Sequence, residues 1–331
     1  MKTYIFLASI IVLLFSACST REVFKPKKVS YDWKKYADTE DNIVDITSNA
    51  ALLDNGKVLD KEGNVSTQTA SKNQRVLGES DEWILSAAID GNLTAVSKKT
   101  PHLTKHFALK STIATAGVKD NILAVLFANN EIALYDLNSK ELLFKEQGGK
   151  ALANDIRIVQ PYFMNDLVIF STLDGKIIIV NSKLKKRLRT VIVSSDDYFN
   201  NIIYFGIMGD KIIAATDSKV LALSQKEIRA KFEVRDMLHD NKYIYIATKQ
   251  GEIISLTPSL QVDSKIKFPF AHFLGMIGDD NNLYVLEKEG YMIVVNKKTF
   301  NYTIHPVDLN DGLVFVGDKA FYVDNEKILI K

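Results

Sequence analysis

Residues 168–181 read Val-Ile-Phe-Ser-Thr-Leu-Asp-Gly-Lys-Ile-Ile-Ile-Val-Asn, and this stretch decides the fold. Two runs of β-branched and aromatic residues flank Asp174-Gly175, and glycine accepts the positive φ that a tight two-residue hairpin turn requires. The runs do not alternate apolar with polar residues, as strands with one wet face do. Continuous apolar strands indicate a sheet that is covered on both faces. The stretch therefore predicts a β-hairpin that is packed between two other sheets.

The same pattern of apolar run, turn and apolar run recurs along the chain. The second turn residue of the eight copies falls at positions 56, 91, 130, 175, 218, 251, 290 and 326. The mean spacing is (326 − 56)/7, or about 39 residues, which is typical of a propeller blade of four strands. Most copies have a third apolar stretch after the hairpin, such as Leu142-Leu143-Phe144. The sequence predicts an all-β fold, an eight-bladed β-propeller of four-stranded antiparallel blades.

Length and charge agree with one closed domain and restrict the class of partner. The chain has 331 residues, of which 47% are hydrophobic, and eight units of this period account for nearly all of them after the N-terminal segment. Its 42 basic and 40 acidic residues give a formal charge of +2. A nucleic-acid-binding domain normally has a clustered basic surface, so this balance argues against a nucleic-acid partner.

The N-terminus predicts export. Met1-Lys2 is followed by an apolar run from Tyr4 to Phe15, which is too short to span a bilayer and suits a signal peptide. Small residues then precede Cys18, the only cysteine of the chain. This end resembles the lipobox of bacterial lipoproteins, which implies cleavage before Cys18 and acylation of that residue. An ordinary signal peptide with an incidental cysteine is the alternative.

We therefore expect three segments. Residues 1–17 form a lipoprotein signal peptide, residues 18–43 a lipidated N-terminus and tether, and residues 44–331 the propeller. Within the tether, Val29 to Trp33 is the most apolar part. The last blade stops before its outer strand, and we expect this N-terminal segment to supply it. A strand from the opposite end of the chain would remove the free edge of that sheet.

No constellation in the sequence supports catalysis, a metal site or a cofactor. His102 and His106 have the i, i+4 spacing of metal ligands on a helix, but their stretch is typical of a loop and lacks a cysteine or glutamate to complete a site. Paired aspartates beside Asn and Gly are typical of turns. Motifs for nucleophilic hydrolysis, zinc proteolysis and phosphate binding are also missing from the sequence. We expect a protein that is not an enzyme.

The repeats resemble the propeller repeat of pyrroloquinoline-quinone enzymes, with its apolar strand, Asp-Gly and Leu-x-Ala. The clearest match is the run Ile-Asp-Gly-Asn-Leu-Thr-Ala-Val at 89–96. The resemblance implies that an enzyme of that group would need a vicinal disulfide to hold the quinone. With a single cysteine the disulfide cannot form, and likeness of fold does not transfer function.

A lipobox, an eight-bladed propeller of this repeat type and no active site together resemble the BamB family of outer-membrane lipoproteins. The resemblance implies a periplasm-facing scaffold in the assembly of β-barrel outer-membrane proteins, with a POTRA domain of BamA as its partner. Ser19, in place of the Asp that keeps lipoproteins in the inner membrane, implies the outer membrane. In the family, an apolar-Arg pair shortly before a proline contacts that partner, and Ile156-Arg157 before Pro161 is the corresponding pair here.

Two functional classes stay open at this point. The first is the periplasmic assembly scaffold that the BamB resemblance implies. The second is a lipoprotein displayed on the cell surface that binds a ligand or a host protein, a role that propellers also serve. For the pair Ile156-Arg157, the competing interpretation is an innermost strand with Arg157 extending to solvent.

Overall fold

The computed structural model describes residues 22–330 as eight antiparallel sheets arranged in sequence around a central channel. Within blades 2 to 7 the first strand lies beside the channel and the last lies at the rim. The prediction of an all-β, eight-bladed propeller is confirmed. The signal peptide and Cys18 lie outside the described residues, so the predictions for them stay predictions.

The first strand of the chain, β1 (Tyr36–Asp38), belongs to the last blade. Blade 1 then contains β2 (Ile43–Ile46), β3 (Ala50–Leu53) and β4 (Val58–Asp60). It departs from the four-stranded pattern, because its outer strand is reduced to an isolated bridge between Leu59 and Val65.

The other strands follow in chain order, with four in each of blades 2 to 7. Blades 2 to 4 contain β5 (Arg75–Ser80), β6 (Trp83–Ala87), β7 (Asn92–Ser97), β8 (Thr104–Ala108), β9 (Ile113–Lys119), β10 (Ile122–Phe127), β11 (Glu131–Asp136), β12 (Leu142–Gln147), β13 (Tyr162–Met164), β14 (Leu167–Ser171), β15 (Lys176–Asn181) and β16 (Lys186–Ile192). Blades 5 to 7 contain β17 (Tyr204–Met208), β18 (Lys211–Ala215), β19 (Lys219–Leu223), β20 (Glu227–Lys231), β21 (Val234–His239), β22 (Ile244–Thr248), β23 (Glu252–Leu256), β24 (Val262–Lys267), β25 (Phe273–Gly278), β26 (Asn282–Glu287), β27 (Tyr291–Asn296) and β28 (Tyr302–Pro306). Blade 8 contains β29 (Val314–Val316), β30 (Ala320–Val323) and β31 (Glu326–Leu329), with β1 as its fourth strand.

The core is divided among the interfaces between blades, as the continuous apolar strands predict. Each hydrophobic cluster joins two consecutive blades, and the ring is closed by a cluster that joins Ile43 and Leu53 of blade 1 to Phe315 and Tyr322 of blade 8. The middle strands supply most of these residues because both of their faces are covered.

The hairpin at Asp174-Gly175 is wider than expected. Thr172 N donates to Lys176 O over 2.9 Å, so the loop between these two residues has three residues and not two. Gly175 takes the positive φ, +77°, and a Cβ there would lie 2.5 Å from the Ser194 carbonyl oxygen. A three-residue hairpin loop that ends in a left-handed residue is the usual alternative to the two-residue turn. Asn130 occupies the equivalent position of blade 3 with a φ of +64°.

The N-terminal part of the chain does supply the outer strand of the last blade, as predicted, but the residues predicted to form that strand are wrong. Tyr36–Asp38, and not Val29 to Trp33, pairs with β31, with Tyr36 opposite Ile328. Residues 30–33 run along β28 instead, where Ser30 N donates to Ile304 O and Trp33 N to Pro306 O, both over 2.8 Å. The physical reason is the size of Trp33, whose indole fills the gap between blades 7 and 8.

Two aromatic residues anchor the described part of the segment that was expected to be a tether. Phe24 is buried between blades 6 and 7, and Trp33 is buried between blades 7 and 8. The Trp33 indole also donates a hydrogen bond from Nε1 to Leu329 O over 2.9 Å. Aromatic burial and a hydrogen bond between the two ends of the chain stabilise a fixed position for this segment.

We expect Trp33→Ala to loosen the closed ring. Loss of a buried Trp costs about 3–5 kcal/mol, which lowers Tm by several degrees in a chain of this size. Thermal unfolding followed by circular dichroism measures the change. Val29→Ala, an exposed residue of the same segment, is the control and should change Tm little. Equal melting curves for Trp33→Ala and the unmodified protein would show that this segment does not hold the ring closed.

Candidate functional site

The connection between blades 3 and 4 crosses one end of the channel. It runs from residue 148 to residue 161, between the end of β12 and the start of β13, and contains no strand. Gly148-Gly149 at its start and Pro161 at its end disfavour a strand ladder. The interpretation of this stretch as an innermost strand is therefore wrong, because the innermost strand of blade 4 begins only at Tyr162.

Buried polar side chains fix the course of this connection. Asn201, which is completely buried, accepts a hydrogen bond from Asp155 N over 2.7 Å and donates to Asp155 O and Arg157 O over 3.2 and 3.1 Å. Asn130, also buried, donates to Gly149 O over 2.9 Å. Because a buried backbone group without a partner is costly, these contacts select one conformation of the connection.

The Arg157 side chain is half-buried and held by contacts within the chain. Its Nε donates to Asp155 Oδ1 over 2.8 Å, and its terminal nitrogens contact the second Asp155 oxygen and the carbonyl oxygen of Arg235. Asp217, in the hairpin turn of blade 5, lies 3.7 Å from the guanidinium. The side chain therefore links the entry of blade 4 to blades 5 and 6 across the mouth of the channel.

The electrostatics of this network favour the ionised aspartate. Burial would raise the pKa of the Asp155 carboxyl, but hydrogen bonds and the charge of Arg157 outweigh burial and hold that pKa below its ordinary value. Asp217 also contacts Lys249, so two cations and two carboxylates balance at the mouth of the channel.

Ile156, by contrast, is 83% exposed. The structure thus separates the two residues predicted to bind a partner together: Ile156 is free to contact another molecule, whereas the guanidinium of Arg157 is engaged within the chain. Their role in binding stays a prediction.

Sequence reasoning missed the residues that accompany Ile156. The connection between blades 4 and 5 runs beside the first one, and Phe199 N donates to Ala153 O over 2.9 Å. Together the two connections expose four large apolar side chains, which we call the loop-face cluster: Leu152, Ile156, Tyr198 and Phe199. The available signal was the pair Tyr198-Phe199 between Asp-Asp and Asn-Asn, since aromatic residues in a polar turn have no core to enter.

Phe199 is also strained. Its φ is +50°, a left-handed conformation that is uncommon for a bulky side chain. The conformation persists because the neighbouring Asn200 and Asn201 are buried and hydrogen-bonded to other segments. Strained residues held in this way cluster at functional sites, which favours a binding role for the loop-face cluster.

The channel beside the cluster has a mixed polar and apolar lining and a volume of about 1180 Å³. Charged groups line it, among them Lys61, Asp217 and Asp236. Burial raises the pKa of the Asp236 carboxyl, which accepts hydrogen bonds from Met237 N and Met276 N over 2.8 and 2.7 Å. These bonds tie Asp236 to the innermost strands of blades 6 and 7.

Within residues 22–330, no group of three or more His, Cys, Asp or Glu side chains lies close enough together to hold a metal ion. His106 lies on the outer strand β8, not in a loop, with Nδ1 3.2 Å from Thr94 Oγ1. In the same range, no helix has the length and apolar character needed to cross a bilayer.

We expect Asp155 to make stability depend on pH. A carboxyl whose folded pKa is lowered stabilises the protein above its unfolded value of about 4, and this contribution is lost as the pH falls through the folded pKa. Asp155→Asn should therefore lower Tm near about pH 7, and the difference from the unmodified protein should shrink below about pH 4. Thermal unfolding across this pH range measures the difference in Tm, and the exposed Asp311→Asn is the control. A difference that does not change with pH would contradict the ionised Asp155–Arg157 pair.

Comparison of sequences finds relatives named for binding plasminogen. No model of a known protein family matches the chain. The plasminogen-binding protein PgbB of Helicobacter pylori strain J99 is 28% identical to it, and the match covers 98% of this chain and 69% of PgbB. PgbB of a second Helicobacter pylori strain is 27% identical, over 96% of this chain and 68% of its own length.

Comparison of structures finds propellers. BamB from Moraxella catarrhalis superposes with a TM-score of 0.69 and 12% identity, covering 90% of this chain and 98% of that one. The C-terminal WD40 domain of Sif2 superposes with a TM-score of 0.64 and 11% identity, covering 92% of this chain and 100% of that one. At these identities the likeness shows the fold alone. The resemblance to the BamB family is therefore confirmed as a BamB-like propeller fold, while the sequence relatives are PgbB proteins.

Proposed function

We propose that this chain is a non-enzymatic, protein-binding propeller whose partner docks on the loop-face cluster. The observation that supports this most strongly is Ile156, a large apolar side chain that is 83% exposed on a connection fixed by buried hydrogen bonds. Exposed apolar side chains that are grouped together are typical of protein-interaction sites.

The rigidity of the two connections suits binding. Association costs free energy whenever loops and side chains must be ordered, so a surface that is already ordered binds more tightly for the same contacts. Asn201 orders residues 155–157, and the Phe199–Ala153 hydrogen bond joins the second connection to the first. An apolar centre with charged groups at the channel mouth beside it is the usual composition of an interface.

The partner we assign first is a POTRA domain of BamA. In this proposal the chain faces the periplasm, is anchored to the outer membrane by lipid on Cys18, and acts as a scaffold in the assembly of β-barrel outer-membrane proteins. The support is the BamB-like fold together with the position of Ile156 shortly before Pro161. Arg157 then acts through the backbone of the connection, since its guanidinium is bound to Asp155.

A second candidate is a lipoprotein that binds a host protein on the cell surface. The observation that favours it is the match of 98% of this chain to PgbB, which is named for binding plasminogen. Digestion of the protein by protease added to intact cells would favour the surface candidate, and resistance until the outer membrane is permeabilised would favour the periplasmic one. Binding of plasminogen to the purified protein tests the host ligand directly.

We expect Ile156→Asp to weaken partner capture strongly and leave the fold intact. A charge placed at the centre of an apolar contact must be buried without a partner, which costs several kcal/mol. The measurement is co-purification of BamA from detergent-solubilised outer membranes, or binding of plasminogen for the second candidate. Leu142→Asp, an exposed residue at the rim of blade 3, is the control. Capture by Ile156→Asp at the unmodified level would remove the loop-face cluster from the proposal.

We expect Cys18→Ala to abolish the membrane anchor. A diacylglyceryl group together with an N-acyl chain holds a protein stably on a bilayer, whereas a single chain binds reversibly. The variant should remain as unprocessed precursor or be released as soluble periplasmic protein, which cell fractionation and immunoblotting distinguish. If Cys18→Ala protein fractionates with the outer membrane like the unmodified protein, Cys18 is not the anchor.

A further inference from the structure

A second open surface lies at the rim of the propeller, at blades 6 and 7, whereas the loop-face cluster lies at the entries to blades 4 and 5. It is a groove of about 1020 Å³ between three segments, namely residues 22–30, the connection 267–270 that leaves blade 6, and residues 302–304 of β28 in blade 7. We call it the rim groove. The mechanism of partner binding proposed above does not use it.

Apolar side chains are presented around this groove on a fixed backbone. Phe24 is buried and packs edge-on against Phe268 and Tyr291, with ring centroids 6.1 and 5.6 Å apart. Beside this anchor, four apolar side chains are exposed to solvent: Val23, Val29, Phe270 and Tyr302. Phe270 has a φ of +65°, a second strained and exposed phenylalanine.

The charge of the rim groove is positive. Its lining contains four lysines, Lys25, Lys27, Lys28 and Lys267, and one acidic residue, Glu22. Lys267 lies 3.8 Å from Glu252. The other three lysines are exposed and, within residues 22–330, form no ion pair. A basic surface without local carboxylate partners is complementary to an anionic one.

The sequence places the lipid anchor next to this groove. Only residues 19–21 separate Cys18 from Glu22, and a chain of that length spans at most about 14 Å when fully extended. Because Phe24 is buried against blades 6 and 7, no long tether is left between the anchor and the rim. An acylated Cys18 therefore brings the bilayer to the rim groove.

We propose that the rim groove rests on an anionic phospholipid surface, with Lys25, Lys27 and Lys28 on the headgroups and Val29 and Phe270 at the interface. The inference rests on the proposed acylation of Cys18. Basic residues beside a lipid anchor supply the second signal that stable membrane docking uses. Docking at this rim leaves the loop-face cluster, at the entries to blades 4 and 5, free for a protein partner.

The test uses the full processed chain, reconstituted through its lipid in vesicles of phosphatidylethanolamine and phosphatidylglycerol. In the acylated chain the sulfur of Cys18, the only cysteine, is a thioether and does not react, so an introduced cysteine can be labelled alone with a fluorophore. Val29→Cys reports on the rim groove. Leu142→Cys, at the rim of blade 3 on the opposite side of the ring, is the control, and both parent side chains are 47% exposed. A nitroxide on the lipid headgroup quenches probes that lie at the membrane surface.

We expect quenching of the probe at position 29 and little at position 142. In the combined variant Lys25→Gln, Lys27→Gln and Lys28→Gln, docking should weaken by about fivefold per lysine, and added salt should weaken it in the unmodified chain. Equal quenching at positions 29 and 142, with vesicle binding intact, would overturn the docking inference and leave the anchor standing.

Two other outcomes are distinguishable. Failure of the unlabelled chain to stay with the vesicles would overturn the Cys18 anchor, and the docking inference with it. Protection of the Val29→Cys probe from a water-soluble quencher in detergent, where there is no bilayer, would show that acyl chains or a second copy of the chain fill the groove. That result would also overturn docking on a lipid surface.

Discussion

The covering of every blade on both faces is the constraint on which the rest of the structure depends. The middle strands are apolar on both sides, so each sheet needs a neighbour on each side, and a row of such sheets can satisfy this need only by closing into a ring. Closure requires that the two ends of the chain meet. Pairing of Tyr36–Asp38 with β31, supported by the hydrogen bond from Trp33 to Leu329 O, is the contact that completes the ring.

This mode of closure also organises the surface. Because residues 22–38 run along the rim of blades 6 to 8, the position of the proposed anchor is tied to that side of the ring. The connections at 148–161 and 193–203 join blades 3, 4 and 5 instead. A membrane-proximal rim and a partner-binding loop face can therefore act at the same time without competing for the same residues.

The sequence predicted those features that depend on local pattern and missed those that depend on distant contacts. The hairpin period is local, so the fold class and blade count could be predicted, although the loop at 172–176 is one residue longer than expected. The contacts of Arg157 with Asp217 and Arg235 join residues that are far apart in the chain, and no spacing rule indicates them. The position of the closing strand likewise depended on where the Trp33 indole fits, which is a packing outcome.

The central claim is that the loop-face cluster contacts another protein in the cell. The most direct measurement places a photo-crosslinking amino acid at position 156 in living cells, with position 142 on the outer strand of blade 3 as reference, and identifies adducts by mass spectrometry. The account predicts a discrete protein adduct at position 156 and none at position 142. Illumination that gives no protein adduct at position 156, in cells where the protein is folded and abundant, would contradict it.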